Sequence, residues 1–274
     1  MAEPLFTIIT PTWQQAEFIG DTIDSVLCQS LGDFEYIIVD NCSDDGTEEI
    51  VRGYCEKDKR IIYIREKDHG QAEAINKGLK RAAGKYVAWI NSDDCYKDEH
   101  VLEKVAAAFE KKPESTLVIG DAWYCDREKR LTEYNASFRK GYDGMIRRWY
   151  YIVQPAAFWR NKGRLLDEKY HYVFDWKFFT GLFDEGTPCY IRKPLALYRM
   201  YGDNKTGQNN AKRKFEIYRL QKELGDSRLN IEWCRFIYKA YKKAEDRGDD
   251  KRKEMLDLLC RIVFHLSGRR LVCF

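Results

Sequence analysis

Short apolar runs alternate with helical stripes through the first 125 residues of this 274-residue chain. The runs are rich in Ile, Val and Tyr, which is typical of strands buried on both faces. They cover residues 5–10, 34–40, 60–65, 85–90 and 116–121. Between them, apolar residues recur at helical spacing, as in Ile19, Ile23, Val26 and Leu27. This alternation predicts right-handed crossovers and an α/β fold whose sheet is mostly parallel, with helices on both faces.

Composition bounds the class of protein. The chain is 44% hydrophobic and 33% charged, has no apolar run of 18 residues, and so predicts no transmembrane helix. Its start lacks a basic segment followed by an apolar stretch, so we expect no cleaved secretory signal. The nine cysteines show no C-x-x-C spacing, which favours reduced thiols over a disulfide framework or a zinc site. We therefore expect a cytoplasmic protein.

The sequence texture changes after residue 206. Helical patterns cover 210–224, 229–247 and 250–267, and this part is net basic, whereas the preceding part is mildly acidic. The change predicts an α/β domain over 1–206 and a basic helical extension over 207–274 that packs on it. Such an extension is compatible with peripheral contact with an anionic membrane surface. The alternative is a solvated helical face.

Four loops that follow predicted strands carry polar residues. Because the carboxyl ends of parallel strands meet at one edge, these loops should surround one ligand site. Adjacent carboxylates repel unless a cation or hydroxyl groups share the site. The alternative is a set of turns and helix caps. The loops contain Thr10 to Trp13, Asp40 to Thr47, Asp68 to Gly70, and Asn91 to Asp94.

The chemistry of these loops indicates a class of ligand. Carboxylates accept hydrogen bonds from a base N–H and from ribose hydroxyls, and a further Asp can hold a cation that neutralises a diphosphate. The chain has neither G-x-G-x-x-G after its first strand nor G-x-x-x-x-G-K-[ST] anywhere. Dinucleotide-cofactor and P-loop functions therefore lose support.

Five segments carry a family resemblance, and they span roughly residues 4–206. They are TPTWQQAEFIGDTIDSVLCQS, EYIIVDNCSDDGTEEIV, EKDHGQAEAINKGLKRAAGKYVAWINSDDCY, QPAAFWRN and PLALYRMYGDNKT. In content and order they resemble glycosyltransferase family 2 enzymes of the GT-A fold, of the kind that build surface polysaccharides.

The resemblance implies roles for individual residues. Asp94 would bind a divalent cation, Mn²⁺ or Mg²⁺, and Asp175 would be the catalytic base. The donor-binding residues would be Pro11, Thr12, Trp13, Asp40, Asp68, Asn91, Asp93 and Arg199. Two positions depart from the family pattern. Phe174 stands where an acid often precedes the catalytic one, and Tyr201 replaces the His of Arg-x-His, so fewer protein ligands would hold the cation.

The activity implied is inverting transfer of a sugar from a nucleotide-diphosphate sugar, UDP being favoured, to a hydroxyl of a glycan or lipid-linked acceptor. No nucleic-acid partner is expected. A sugar-nucleotide pyrophosphorylase is a competing interpretation, although its usual Gly-rich first loop is absent from TPTWQQ. A second is a non-catalytic module that binds a nucleotide sugar or glycan.

Overall fold

The computed structural model describes residues 3–137, 146, 150–202, 211–225, 236–237, 239–241, 243–244 and 246–266. Its first part alternates strands and helices as the sequence predicts. The elements are β1 (Phe6–Thr12), α1 (Ile19–Leu27), β2 (Phe34–Asp40), α2 (Thr47–Lys57), β3 (Ile61–Arg65), α3 (Gln71–Leu79), β4 (Tyr86–Trp89), β5 (Cys95–Tyr96) and α4 (Val101–Lys111).

The first four strands form a parallel sheet in the order β3-β2-β1-β4. Thr12 pairs with Asp40, so β1 and β2 end at the same level. All of β1, and all of β2 except Glu35, is buried, as expected for strands covered on both faces. Helix α3 approaches β1 so closely that a Cβ at Gly78 would lie 2.7 Å from a side-chain carbon of Ile9. The α/β prediction is confirmed.

Later strands add antiparallel pairings that the sequence pattern did not indicate. The new elements are β6 (Leu117–Cys125), β7 (Leu131–Asn135), β8 (Ala157–Arg160), α5 (Phe174–Glu185) and β9 (Cys189–Arg199). Strand β8 lies between β4 and β6 and is antiparallel to both. Strand β9 is parallel to β6, and β5 pairs antiparallel with β9. The path is β3-β2-β1-β4-β8-β6-β9-β5, with β7 beside β6.

The two faces of β4 pack on different helices, because successive side chains of a strand point to opposite faces. On one face, the Tyr86 ring stacks on Phe109 of α4 with centroids 4.1 Å apart. On the other, Trp89 packs on Phe178 and Phe179 of α5 at 5.6 and 5.4 Å. Strand β4 is therefore held between α4 and α5, and its carboxyl end has a fixed position.

The described residues fall into two compact units. The first contains 3–137, 146, 151–169 and 174–200, and the second contains 150, 170–173 and the described residues after 200. The second unit has helices α6 (Ala211–Glu223) and α7 (Asp250–Leu266), which correspond to the predicted patterns 210–224 and 250–267. The predicted boundary at 206–207, like residues 229–235, lies outside the described residues. Within the part described, no helix is both long and apolar enough to cross a membrane.

Candidate functional site

Hydrogen bonds join the ends of the four parallel strands into one continuous edge. The Asn41 N–H, after β2, donates to the carbonyl of Thr12 at the end of β1 (3.1 Å). The Asp68 N–H, after β3, donates to Asn41 Oδ1 (2.9 Å). Gln71, at the start of α3, donates from Nε2 to Asn91 Oδ1 after β4 (2.8 Å). The four loops singled out in the sequence are therefore neighbours in space.

Asp40 is buried at the end of β2 and holds the loop after that strand. Its Oδ1 accepts hydrogen bonds from the Ser43 N–H (3.0 Å) and the Ser43 hydroxyl (2.6 Å). Its Oδ2 accepts one from the Tyr63 hydroxyl (2.7 Å), and Arg65 Nε lies 3.8 Å from the same oxygen. A carboxylate has about four lone-pair sites. Asp40 is thus largely occupied by its own scaffold, and only Oδ2 has capacity for a further donor.

The loop after β1 is bound to the loop after β2. The Gln14 N–H donates to Ser43 Oγ (2.9 Å), and the Ala16 N–H donates to Asp45 Oδ2 (2.9 Å). Beside these contacts, the Trp13 side chain is 60% exposed, whereas Thr12 is buried. Within the described part of the chain, Thr12 Oγ1 is buried and has no hydrogen-bond partner. The edge therefore offers an exposed ring and a buried hydroxyl side by side.

Of the two adjacent carboxylates after β4, Asp94 is buried and Asp93 is half-buried. Asp94 Oδ1 accepts from the backbone N–H of Arg199 (3.0 Å), and Oδ2 accepts from Asn91 Nδ2 (3.2 Å). Burial, and then the charge of Asp93, raise the pKa of Asp94 well above its ordinary value. Two adjacent carboxylates, one of them buried, are favourable where a cation or hydroxyl groups share the site.

The donor set of Asp94 fits a hard cation such as Mn²⁺ or Mg²⁺. Each of its carboxylate oxygens accepts a hydrogen bond from one N–H group, and an oxygen of this kind has a second lone pair. Among the described residues, no three His, Cys, Asp or Glu side chains gather into a metal site. A cation on Asp94 would therefore take most of its ligands from phosphate and water, which Mg²⁺ commonly does.

Asp68 follows β3, whereas Asp175 lies in α5, which packs on β4 through Trp89. Asp68 is half-buried, its Oδ1 accepts from the Gly70 N–H (2.8 Å), and burial raises its pKa. Asp175 lies in the first turn of α5, where its Oδ1 accepts from the Trp176 N–H (2.8 Å). The preceding Phe174 ring packs 6.5 Å from that of Trp89, the last residue of β4. The start of α5 therefore lies beside the strand end that carries Asp93 and Asp94.

The side chain of Arg199 lies against α1. The guanidinium is buried, donates to Asp21 Oδ2 (2.8 Å) and stacks over the Phe18 ring at 4.6 Å. Its backbone N–H is the group that meets the acidic loop. A contact between this guanidinium and a sugar donor stays a prediction. The contacts in the structure are with Asp21 and Phe18, which tie β9 to α1.

Residues 7–173, more than half of the chain, match the family model described as "Glycosyl transferase family 2". The chain belongs to this family. It is 42% identical over 111 residues to the putative teichuronic acid biosynthesis glycosyltransferase TuaG of Bacillus subtilis, a match that covers 40% of the chain and 44% of TuaG. It is 35% identical over 122 residues to a PGL/p-HBAD biosynthesis glycosyltransferase of Mycobacterium tuberculosis, covering 44% and 48%. The matches span less than half the length of either relative.

Solved structures of low identity show the fold of this family 2 chain. TarS 1–349 of S. aureus, in complex with UDP-GlcNAc, superposes with a TM-score of 0.63 at 14% identity, covering 97% of this chain and 93% of that one. The mannosyltransferase PcManGT of Pyrobaculum calidifontis, in complex with GDP-Man and Mn²⁺, gives 0.64 at 15% identity, covering 98% and 89%. The fold is GT-A, as the resemblance implied.

Three residues that build the site of this family 2 chain were missed in the sequence. Tyr63 occupies the position in β3 from which its hydroxyl reaches Asp40, and Gln71 directly follows the D-H-G loop. Adjacency to that loop is a signal that could have found Gln71. Asp21 resembles an ordinary surface acid of an amphipathic helix, and its partner is 178 residues away. No local pattern identifies such a residue.

Proposed function

We propose that this chain is a divalent-cation-dependent, inverting glycosyltransferase. It would move a sugar from a nucleotide-diphosphate sugar, with UDP favoured, to a hydroxyl of a glycan or lipid-linked acceptor. The observation that carries the proposal is the hydrogen-bonded edge formed by four strand ends, three of which carry Asp side chains, in a family 2 chain. Structures of the same fold hold UDP-GlcNAc, or GDP-Man with Mn²⁺, and the relatives are named for the biosynthesis of teichuronic acid and of PGL/p-HBAD.

The donor nucleotide would lie over β1, β2 and β3. The exposed ring of Trp13 would stack on the base, with Pro11 and Thr12 beside it. Asp40 would accept one hydrogen bond through Oδ2, and Asp68 would accept another next to the base. Aromatic stacking serves any base, whereas a carboxylate requires a donor such as a ring N–H.

The diphosphate would lie at the end of β4. Asn91 and Asp93 would contact ribose or phosphate, and Asp94 would hold the cation. A bound divalent cation supplies Lewis-acid stabilisation of the charge that develops on the diphosphate leaving group. The amide of Asn91 and the backbone N–H of Arg199 fix the Asp94 carboxylate by one hydrogen bond to each oxygen. Fixed ligands spare the site a reorganisation during the reaction.

Asp175, at the start of α5 beside the end of β4, would act as general base. As the acceptor oxygen bonds to the anomeric carbon, the bond to the diphosphate oxygen breaks and the hydroxyl proton passes to the Asp175 carboxylate. Attack opposite the leaving group inverts the anomeric centre, so no covalent nucleophile is needed. The Trp176 N–H orients the carboxylate through Oδ1. A base of this kind contributes roughly 10²- to 10⁴-fold.

A donor panel tests the proposal. The full chain is incubated with Mn²⁺ and separate UDP, GDP and dTDP sugars, and the release of nucleoside diphosphate is measured. We expect one donor class to release nucleoside diphosphate. Pyrophosphate release during synthesis of a nucleotide sugar from a nucleoside triphosphate and a sugar 1-phosphate would instead show a pyrophosphorylase. Donor binding in a thermal-shift assay, with no release under any condition, would show a binding module.

A further inference from the structure

A charged pair joins α1 to the end of β9. The Arg199 guanidinium is only 1% exposed, and its Nη2 lies 2.8 Å from Asp21 Oδ2. The planar guanidinium also covers the Phe18 ring. A buried guanidinium is costly unless an anion and hydrogen bonds compensate for its lost hydration. Asp21 therefore determines whether Arg199 can occupy this position.

The two elements joined by this pair, α1 and β9, also each donate a hydrogen bond to Asp94. From β9, the Arg199 backbone N–H donates to Asp94 Oδ1 (3.0 Å). From α1, the hydroxyl of Thr22, the residue after Asp21, donates to the Asp94 carbonyl (2.7 Å). The hydrogen bond to the Asp94 side chain depends on the position of β9, and the hydrogen bond to the Asp94 backbone depends on the position of α1. A shift between the two elements would turn the Asp94 carboxylate.

Asp21 is bound on its second oxygen as well. Lys129, in the turn between β6 and β7, donates from Nζ to Asp21 Oδ1 (2.7 Å). Burial tends to raise the pKa of Asp21, but hydrogen bonds from Lys129 and Arg199 prevail and lower it. Asp21 is therefore ionised at neutral pH and pairs with two positively charged side chains, Lys129 and Arg199.

We infer that Asp21 and Thr22 are positioning residues that orient the Asp94 carboxylate toward a divalent cation, with Asp21 acting through Arg199. This inference rests on the proposed function, which places the cation at Asp94. Neither residue touches the reacting atoms. Groups that orient a metal ligand in this way typically change metal affinity by about 10- to 100-fold when they are removed.

The test measures Mn²⁺ affinity of the full chain in the presence of UDP, by electron paramagnetic resonance of free Mn²⁺. Asp21→Asn keeps the size of the side chain but removes the charge that pairs with Arg199. Thr22→Val keeps the shape and removes the hydroxyl. We expect each variant to lower Mn²⁺ affinity by about 10-fold or more. Asp21→Glu keeps the carboxylate, so its Mn²⁺ affinity should lie closer to that of the parent than to that of Asp21→Asn.

The chain offers a matched control. Arg130 pairs with Asp126 and Glu128 inside the same β6–β7 turn, and its side chain is 75% exposed. Arg130→Met therefore breaks ion pairs of that turn and leaves the Lys129–Asp21–Arg199 contacts in place. We expect its Mn²⁺ affinity to equal that of the parent. Thermal unfolding of every variant separates a positioning effect from general destabilisation.

The outcomes are distinguishable from a failure of the proposed function. Parental Mn²⁺ affinity in folded Asp21→Asn and Thr22→Val would overturn the inference and leave the proposed function intact. If the parent chain releases nucleoside diphosphate but does not bind Mn²⁺, the assignment of a cation to Asp94 is wrong, and the inference is wrong with it. If Asp21→Asn does not fold, Thr22→Val decides: reduced affinity supports the inference and parental affinity refutes it.

Discussion

Replacing Asp175 by Asn should separate catalysis from folding. The substitution replaces one carboxylate oxygen by an NH₂ group, so the side chain keeps its shape. The retained Oδ1 can still accept a hydrogen bond from the Trp176 N–H. Helix α5 is held by its apolar contacts with Trp89, which the change does not touch. We therefore expect the free energy of unfolding to change by no more than about 0.5 kcal/mol.

The rate should change far more than the stability. A general base contributes roughly 10²- to 10⁴-fold, which corresponds to about 2.7–5.4 kcal/mol in the activation free energy. Asp175→Asn should therefore lower kcat by at least about 100-fold. The KM for the donor should stay near that of the parent, because Asp175 makes none of the proposed donor contacts.

The assay is steady-state release of nucleoside diphosphate with the donor identified by the panel. Asp184→Asn is the matched control, since it makes the same exchange on an exposed residue of the same helix. The control should keep the parental rate. Near-parental kcat in folded Asp175→Asn would remove Asp175 from the role of base.

Two further predictions concern the nucleotide edge. Trp13→Ala should weaken nucleoside diphosphate binding by about 1–3 kcal/mol, the usual worth of base stacking, with little change in stability because the ring is 60% exposed; unchanged calorimetric affinity would exclude stacking. Asp40→Ala should destabilise the fold by about 3 kcal/mol, because it removes three hydrogen bonds to a buried carboxylate. Tyr63→Phe removes one of them and should cost about 1 kcal/mol in urea unfolding; equal costs would contradict this interpretation.

Much of the first half of the fold could be predicted from the sequence. The run 34–40 coincides with β2. The run 60–65 begins one residue before β3, and the run 85–90 extends one residue beyond β4 at each end. Strands β2 and β4 are buried on both faces, so a continuous apolar run is the expected signal, and β3, at the edge of the sheet, is apolar but partly exposed. The antiparallel strand β8 was not predicted. It is short and follows a single 3-10 turn at Gln154–Ala156, so its sequence carries neither alternation nor a long apolar run.

The candidate site divides in the same way. The convergence of the four loops follows from parallel strands ending at one edge, and the structure shows it. How far each acid is already occupied could not be predicted, because it depends on residues from other elements. Tyr63 reaches Asp40 across the sheet, and Arg199 approaches Asp94 through its backbone rather than its charge. Residue type alone does not reveal such contacts.

The most direct test of a cation-dependent donor site at Asp94 is a calorimetric titration with and without Mn²⁺. The ligand is UDP, or the nucleoside diphosphate released in the donor panel, and the proteins are the parent, Asp94→Ala and the control Asp98→Ala, whose carboxylate binds Lys104 instead. We predict that Mn²⁺ tightens binding by at least about 5-fold in the parent and the control, the lower end of typical coupling between two bound ligands, and has no effect in Asp94→Ala. An Mn²⁺-dependent gain in Asp94→Ala equal to that of the parent would contradict the assignment.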